Sequence, residues 1–160
     1  VFFTGGDQIR ILDVLEDREL KNLFVARYKA GIAFGGTSAG TAVMSVRAIT
    51  GEGNFDVVDG AQVQLRPGLG LLPEDVVVDQ HFLRRHRENR LFGVILQDTR
   101  CFGVGIDEGM ALSVVDGRYA RVIGPTQVMV VEPKSPRGTL QVTMLQPNEK
   151  FDLTKRMRIR

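Results

Sequence analysis

Cysteine occurs once in this chain, at Cys101, and histidine twice, at His81 and His86. A single cysteine excludes an internal disulfide framework and every cysteine-based metal site. With so few soft ligands a zinc centre is not expected, and no other metal or cofactor is. No apolar run approaches the ~20 residues needed to span a bilayer, and no signal peptide is visible. Long charge blocks are missing too. The net charge is +2, and the only basic clusters are "RRHR" and the final "KRMRIR". That balance does not argue for nucleic acid. Gly103-Val104-Gly105 with Gly109 misses the dinucleotide-binding spacing, and no P-loop lysine follows a glycine run.

What is present suits one domain with a real core: 160 residues, 43% hydrophobic and 25% charged. "VFFTGG" reads as a buried strand ended by two glycines. A chain that opens inside a core strand is expected to have further sequence upstream. Ile9, Leu12, Leu15, Leu20, Leu23 and Phe24 fall near helical spacing, in one helix or two short ones. "GIAFGG" reads as a strand and "SAGTAVMSVRAI" as a helix. Residues 50–70 carry turn residues and little periodicity, which predicts a long loop. "EDVVVDQHF" reads as a strand, "LRRHRENRLFGVILQD" as a helix and "CFGVGIDEG" as a strand. "MALSVVDGRYARVIG" has the pattern of a hairpin turning at Asp116-Gly117. "TQVMVVEP" is a further strand and "TLQVTMLQP" an edge strand. Alternating strands and helices through the first two thirds predict an α/β fold with a doubly wound, mostly parallel sheet.

Gly36-Thr37-Ser38-Ala39-Gly40 fits G-x-S-x-G between a strand and a helix, the arrangement of a nucleophile elbow. A turn that sharp has no room for flanking side chains. It lifts the serine hydroxyl above the sheet and favours φ > 0 there. The N–H of Ala39 would then face an oxyanion. The competing reading of the pentapeptide is a plain helix N-cap serine. Paired glycines in "TGGDQ" end the first strand on the same rim, where bare N–H groups can approach a ligand. A serine nucleophile needs a base, and the base an orienting acid. His81 closes "VVVDQH" at a strand's carboxyl end, whereas His86 sits among like charges. The acid is expected at a strand end as well. Asp107 and Glu108 lie there, with Asp79 as an alternative close to His81 in sequence.

Taken in order, "TGGDQ", "GGTSAGT", "DQHFLRRHRENRL" and "GIDEGMAL" resemble the cyanophycinases, serine hydrolases of the peptidase E-like S51 family. These motifs cover residues 4–112. The resemblance implies a class I glutamine amidotransferase-like (flavodoxin-like) three-layer sandwich, with residues 1–160 in a single hydrolytic domain that lacks the family's N-terminal strands. It implies Ser38 as nucleophile, His81 as base and Glu108 as orienting acid. Gly6 and Ala39 would form the oxyanion hole, and Gln8, Asp79, Gln80, Arg85, Arg87 and Arg90 the substrate pocket. The implied reaction is exopeptidase cleavage of cyanophycin, an arginyl-poly-aspartate, to β-Asp-Arg dipeptides through an acyl-enzyme. The alternatives are an aspartyl or isoaspartyl dipeptidase, or an inactive truncated binding module. The implied setting is a homodimer in the cytoplasm, with secretion the other possibility, and the partner a peptide substrate rather than nucleic acid or membrane. Guanidinium forks suit substrate carboxylates. Helical periodicity, with Leu91 and Val94 on one stripe, and the motif agree only on Arg87; the bland reading of "RRHRENR" is a solvated basic helix face.

Overall fold

The computed structural model describes residues 1–53 and 56–159. Strand β1 (Phe2–Phe3) leads through helix α1 (Gln8–Val14) and helix α2 (Arg18–Lys29) to β2 (Gly35–Gly36), which pairs with β1 in parallel. Asp7 and Asp17 cap the two helices through backbone N–H groups of Ile9 and of Glu19 and Leu20. Helix α3 spans only Ala39–Ala42, and the chain then turns into β3 (Arg47–Gly53). A short 3-10 turn (Gly60–Gln62) precedes β4 (Val63–Pro67), and β3 and β4 pair antiparallel. The expected long loop over 50–70 is therefore in part a strand pair, since β3 takes residues 50–53 and β4 residues 63–67, while residues 54 and 55 lie outside the described residues. The expected helix over 38–49 stops early for the same reason. Arg47, Ala48 and Ile49 pair in register with Pro67, Arg66 and Leu65 of the neighbouring strand, a non-local choice.

Strand β5 (Val76–Gln80) leads to helix α4 (Glu88–Gln97) and then to β6 (Phe102–Ile106), parallel to β5. Here the helix begins later than the sequence pattern predicts. Residues 82–86 form a turn, with His81 at φ 49° and His86 at φ 52°. Beyond β6 the connections are short: β7 (Ala111–Val115), β8 (Tyr119–Ile123), β9 (Val128–Lys134), β10 (Thr139–Leu145), β11 (Lys150–Asp152) and β12 (Met157–Ile159). Short connections make antiparallel neighbours, since a parallel return needs a crossover of a dozen residues or more. The Asp116-Gly117 turn has both central residues at positive φ, 54° and 62°, as the hairpin pattern requires. The sheets are thus mixed and not mainly parallel. Their orders are β10-β9-β6-β5 and β12-β11-β8-β7 beside the two short pairs, and among the described residues only β1–β2 and β5–β6 run parallel. The fold class is α/β.

Alternation along β5 and β6 divides the core. Val76, Val78, Phe102, Val104 and Ile106 pack against Ala120, Val122 and Phe151 of the second four-stranded sheet. Val77 faces the other way, into a cluster with Phe82, Leu91, Val94 and Ile95 beneath α4. A third cluster holds the N-terminal part, with Leu12, Leu15, Val43 and Leu69 against Phe3, Phe24 and Phe34. The central sheet is thereby covered on both faces, and its carboxyl ends are left for the site. Cys101 is buried in the α4 cluster, and burial pushes its thiol pKa up. Among the described residues, no helix is long and apolar enough to cross a membrane.

The second sheet is pinned by Asp152, which accepts from Arg118 Nε at 2.9 Å and Nη2 at 2.5 Å and from the N–H groups of Thr154 and Lys155. The Arg118 hydrogen bond, with those N–H groups, holds the Asp152 carboxyl down at about 2. A carboxyl depressed in the folded state stabilises fully above its unfolded pKa of about 4, and that contribution is lost as pH falls through the folded value. Asp152→Asn is expected to lower the urea midpoint at pH 7, and the gap from the wild type should close between about pH 4 and pH 2. Urea titrations at both ends of that window check it. A gap that stays constant with pH would remove Asp152 from the acid response.

Candidate active site

Ser38 stands between β2 and α3 at φ 53°, ψ −114°, and its side chain makes no capping bond to α3. The helix-cap reading of this serine therefore fails. The elbow is held by other groups: Thr41 Oγ1 donates to Gly36 O at 2.7 Å, and Thr37 N to Phe3 O at 3.0 Å. The glycine box has a steric cause. A Cβ on Gly36 would land on the Gly40 backbone, and one on Gly40 would land on the Phe3 carbonyl. The strand and the short helix cross too closely for any side chain.

The parallel β5–β6 pair sets Gln80 opposite Ile106, so the residues that follow each strand leave the sheet at one edge. His81 follows β5, and Glu108 lies in the turn after β6. His81 Nε2 is 2.8 Å from Ser38 Oγ, and His81 Nδ1 is 2.8 Å from Glu108 Oε1. The Ser38 hydroxyl also lies 3.4 Å from Gln80 Oε1. Asp107, the neighbouring carboxylate, instead accepts from the backbone N–H of Arg84 at 3.0 Å and ties down the turn after His81. Asp79 points away from the imidazole, into a buried pair with Arg90.

A cleft of about 690 Å³ opens over these groups, lined among others by Phe2, Ser38, His81, Glu108, Met110 and Leu112. A Cβ on Gly5 would sit 3.3 Å from Ser38 Cβ, so the Thr4–Gly6 turn lies beside the serine. Gly6 has φ 132°, and the N–H of Ala39 is the first of α3. A hydroxyl, an imidazole and a carboxylate in this sequence of contacts can take a proton from the hydroxyl and stabilise the resulting imidazolium.

A family model described as "Peptidase family S51" matches residues 1–122. The chain belongs to peptidase family S51. Curated relatives are named cyanophycinase. The protein of Trichormus variabilis is 38% identical over 134 residues, covering 83% of this chain and 45% of its own length. That of Geminocystis herdmanii is 39% identical over 133 residues, 82% of this chain and 48% of its own length. That of Synechococcus elongatus is 39% identical over 138 residues, 84% of this chain and 42% of its own length. The chain therefore spans a little under half the length of these relatives.

The remaining expected pocket residues of this S51 chain are placed differently from the triad. Arg85 is exposed, but Arg87 and Arg90 are turned inward. Arg90 is 1% exposed and is paired with Asp79, also 1% exposed. Arg87 donates from Nη1 to Gln80 O at 2.8 Å. Burial, and then the charge of Arg90, bring the Arg87 guanidinium down to about 10. None of the three arginines lines the cleft. Arg87 and Arg90 are held back by partners inside the protein, the Gln80 carbonyl and Asp79, while Arg85 lies in the turn over 82–86 that replaces the expected start of the helix. Gln8 is buried as well, and its Nε2 donates to Ile49 O at 3.3 Å, against β3 and away from the cleft. Gly5 and Asp107 were not singled out for these contacts by sequence reasoning. The doubled glycine of "TGGDQ" was the available signal for the first; the second was marked at a strand end only as a candidate acid, and nothing local signals its bond to the Arg84 N–H.

Proposed function

We propose that this chain carries the catalytic centre of a serine exopeptidase that hydrolyses cyanophycin to β-Asp-Arg dipeptides. The observation that carries the reading is the unbroken contact series Ser38–His81–Glu108 at 2.8 Å each, in a chain of family S51. In the first step His81 Nε2 takes the Ser38 proton while Oγ attacks the scissile carbonyl carbon. The C–N bond then breaks, His81 returns the proton to the leaving amine, and an acyl-enzyme remains. Water, deprotonated by the same imidazole, attacks the ester and releases Ser38. Glu108 orients the ring and stabilises the imidazolium. The N–H groups of Gly6 and Ala39 are assigned to the oxyanion. Arg85, the exposed arginine of the motif, is the one assigned to a substrate carboxylate. No cofactor enters these steps. Residues 1–160 are read as one hydrolytic domain, in which the parallel β1–β2 and β5–β6 pairs belong to a larger doubly wound sheet.

The test is to incubate the full-length natural protein with purified cyanophycin and identify the products by mass spectrometry. β-Asp-Arg dipeptides are expected, and none from the Ser38→Ala variant. A second reading, a dipeptidase acting on aspartyl or isoaspartyl dipeptides, gains from one observation: Arg87 and Arg90 are engaged internally, which leaves fewer guanidinium groups for the repeated carboxylates of a polymer. Turnover of such dipeptides with an untouched polymer would select it.

A further inference from the structure

The end of β5 brings two groups to Ser38, the imidazole of His81 and the side chain of Gln80. Its backbone there needs holding, because His81 sits at φ 49°, a conformation that a non-glycine residue adopts only under constraint. Both sides of residue 80 are gripped. The Asp79 carboxylate accepts the Gln80 N–H at 2.8 Å, and Arg87 Nη1 donates to the Gln80 carbonyl at 2.8 Å. Asp79 is fixed in turn by Arg90, through Nε at 2.6 Å and through Nη2. Arg90 lies on α4 and Arg87 directly before it, so the helix anchors the strand end.

We propose that Arg87 and Arg90 are positioning residues that set His81 and Gln80 against Ser38, Arg87 through the Gln80 carbonyl and Arg90 through Asp79, and that neither touches substrate. The proposal rests on the catalytic reading of Ser38 and His81. It differs from a carboxylate pocket in what each guanidinium must supply. A carboxylate clamp uses the bidentate fork, which lysine cannot reproduce. A carbonyl oxygen at 2.8 Å from one Nη needs a single donor, which lysine has. A displacement of the base by about 1 Å is enough to cost about 10²-fold in rate, whatever the substrate.

The experiment compares Arg87→Ala and Arg87→Lys in the full-length natural protein, on cyanophycin and on p-nitrophenyl acetate, which is uncharged. Rates are expressed per active site titrated with a fluorophosphonate, and thermal unfolding is followed alongside. Arg87→Ala is expected to lower kcat about 10- to 100-fold on both substrates, with KM changed less than about twofold. Arg87→Lys should recover both activities to within about threefold of wild type. A loss confined to cyanophycin, expressed in KM and not recovered by lysine, would overturn the proposal in favour of a substrate clamp. Unchanged kcat per titrated site with a lowered Tm would also overturn it, leaving Arg87 a purely structural residue. If the alanine variant does not fold, the lysine variant decides alone: joint retention of both activities supports positioning, and selective loss on the polymer refutes it. Wild-type-like turnover by Ser38→Ala would instead sink the catalytic reading on which the proposal stands.

Discussion

Ser38→Ala is expected to lower kcat about 10⁴- to 10⁶-fold, the scale on which loss of a serine nucleophile is felt, while the fold survives. The two halves of this result have separate causes. Ser38 Oγ contacts His81 and Gln80 and does not cap α3, so its removal takes no hydrogen bond from the elbow backbone. That backbone is held by Thr41 Oγ1 on Gly36 O and by Thr37 N on Phe3 O, and both bonds remain. Alanine also carries about the same penalty as serine at φ 53°. The midpoint of thermal unfolding should therefore move only a few degrees. Kinetics on cyanophycin beside a melting curve measures both. An inactive but unfolded variant would give Ser38 a structural role that its contacts do not suggest.

Gly40→Ala carries the largest expected loss of stability. The added Cβ would fall on the Phe3 carbonyl, with Phe3 C and Cβ next at 2.7 Å each. These are mostly backbone atoms, and no rotamer change can relieve the overlap. Overpacking costs about 1–3 kcal/mol where neighbours can adjust; here the expected cost is about 3 kcal/mol or more, because β1 must move away from the elbow. Ser38 moves with it, so activity per folded molecule should fall about 100-fold. Urea denaturation measures the first effect and fluorophosphonate labelling rate the second. Gly138→Ala is the comparison: a Cβ there meets nothing within 4 Å, and only its φ of 92° penalises the change, by about 1–2 kcal/mol. Equal effects at the two positions would mean that the close crossing of β1 and α3 does not hold the elbow.

The elbow was legible because its signal is local. Glycines around one serine, after an apolar run and before small residues, specify a turn that few other arrangements need. That His81 and a carboxylate of the Asp107-Glu108 pair meet at one edge was legible from strand ends, since two apolar runs that each end in polar residues emerge together when the strands lie parallel; Glu108 itself was marked only by the resemblance. The antiparallel second half was legible only in part. Asp116-Gly117 announces its own hairpin, but the way β9 pairs with β6 depends on partners distant in sequence. Non-local pairing also explains why Arg47–Ile49 is strand and not helix. The turn at residues 82–86 has no glycine or proline to announce it, so the helix reads from Leu83 in the sequence but starts at Glu88 in the structure. Arg90, inside α4 as expected, shows a separate limit. A charged side chain in a basic run reads as solvated, and only the partner eleven residues earlier, Asp79, accounts for its burial.

The most direct test of the central claim, that Ser38 is a nucleophile activated by His81, is covalent labelling with a fluorophosphonate followed by intact-mass measurement and peptide mapping. The account predicts one adduct, on Ser38, formed at least about 100-fold more slowly in a folded His81→Ala variant and absent from Ser38→Ala. An adduct on another residue, or labelling of Ser38 at an undiminished rate without His81, would contradict it.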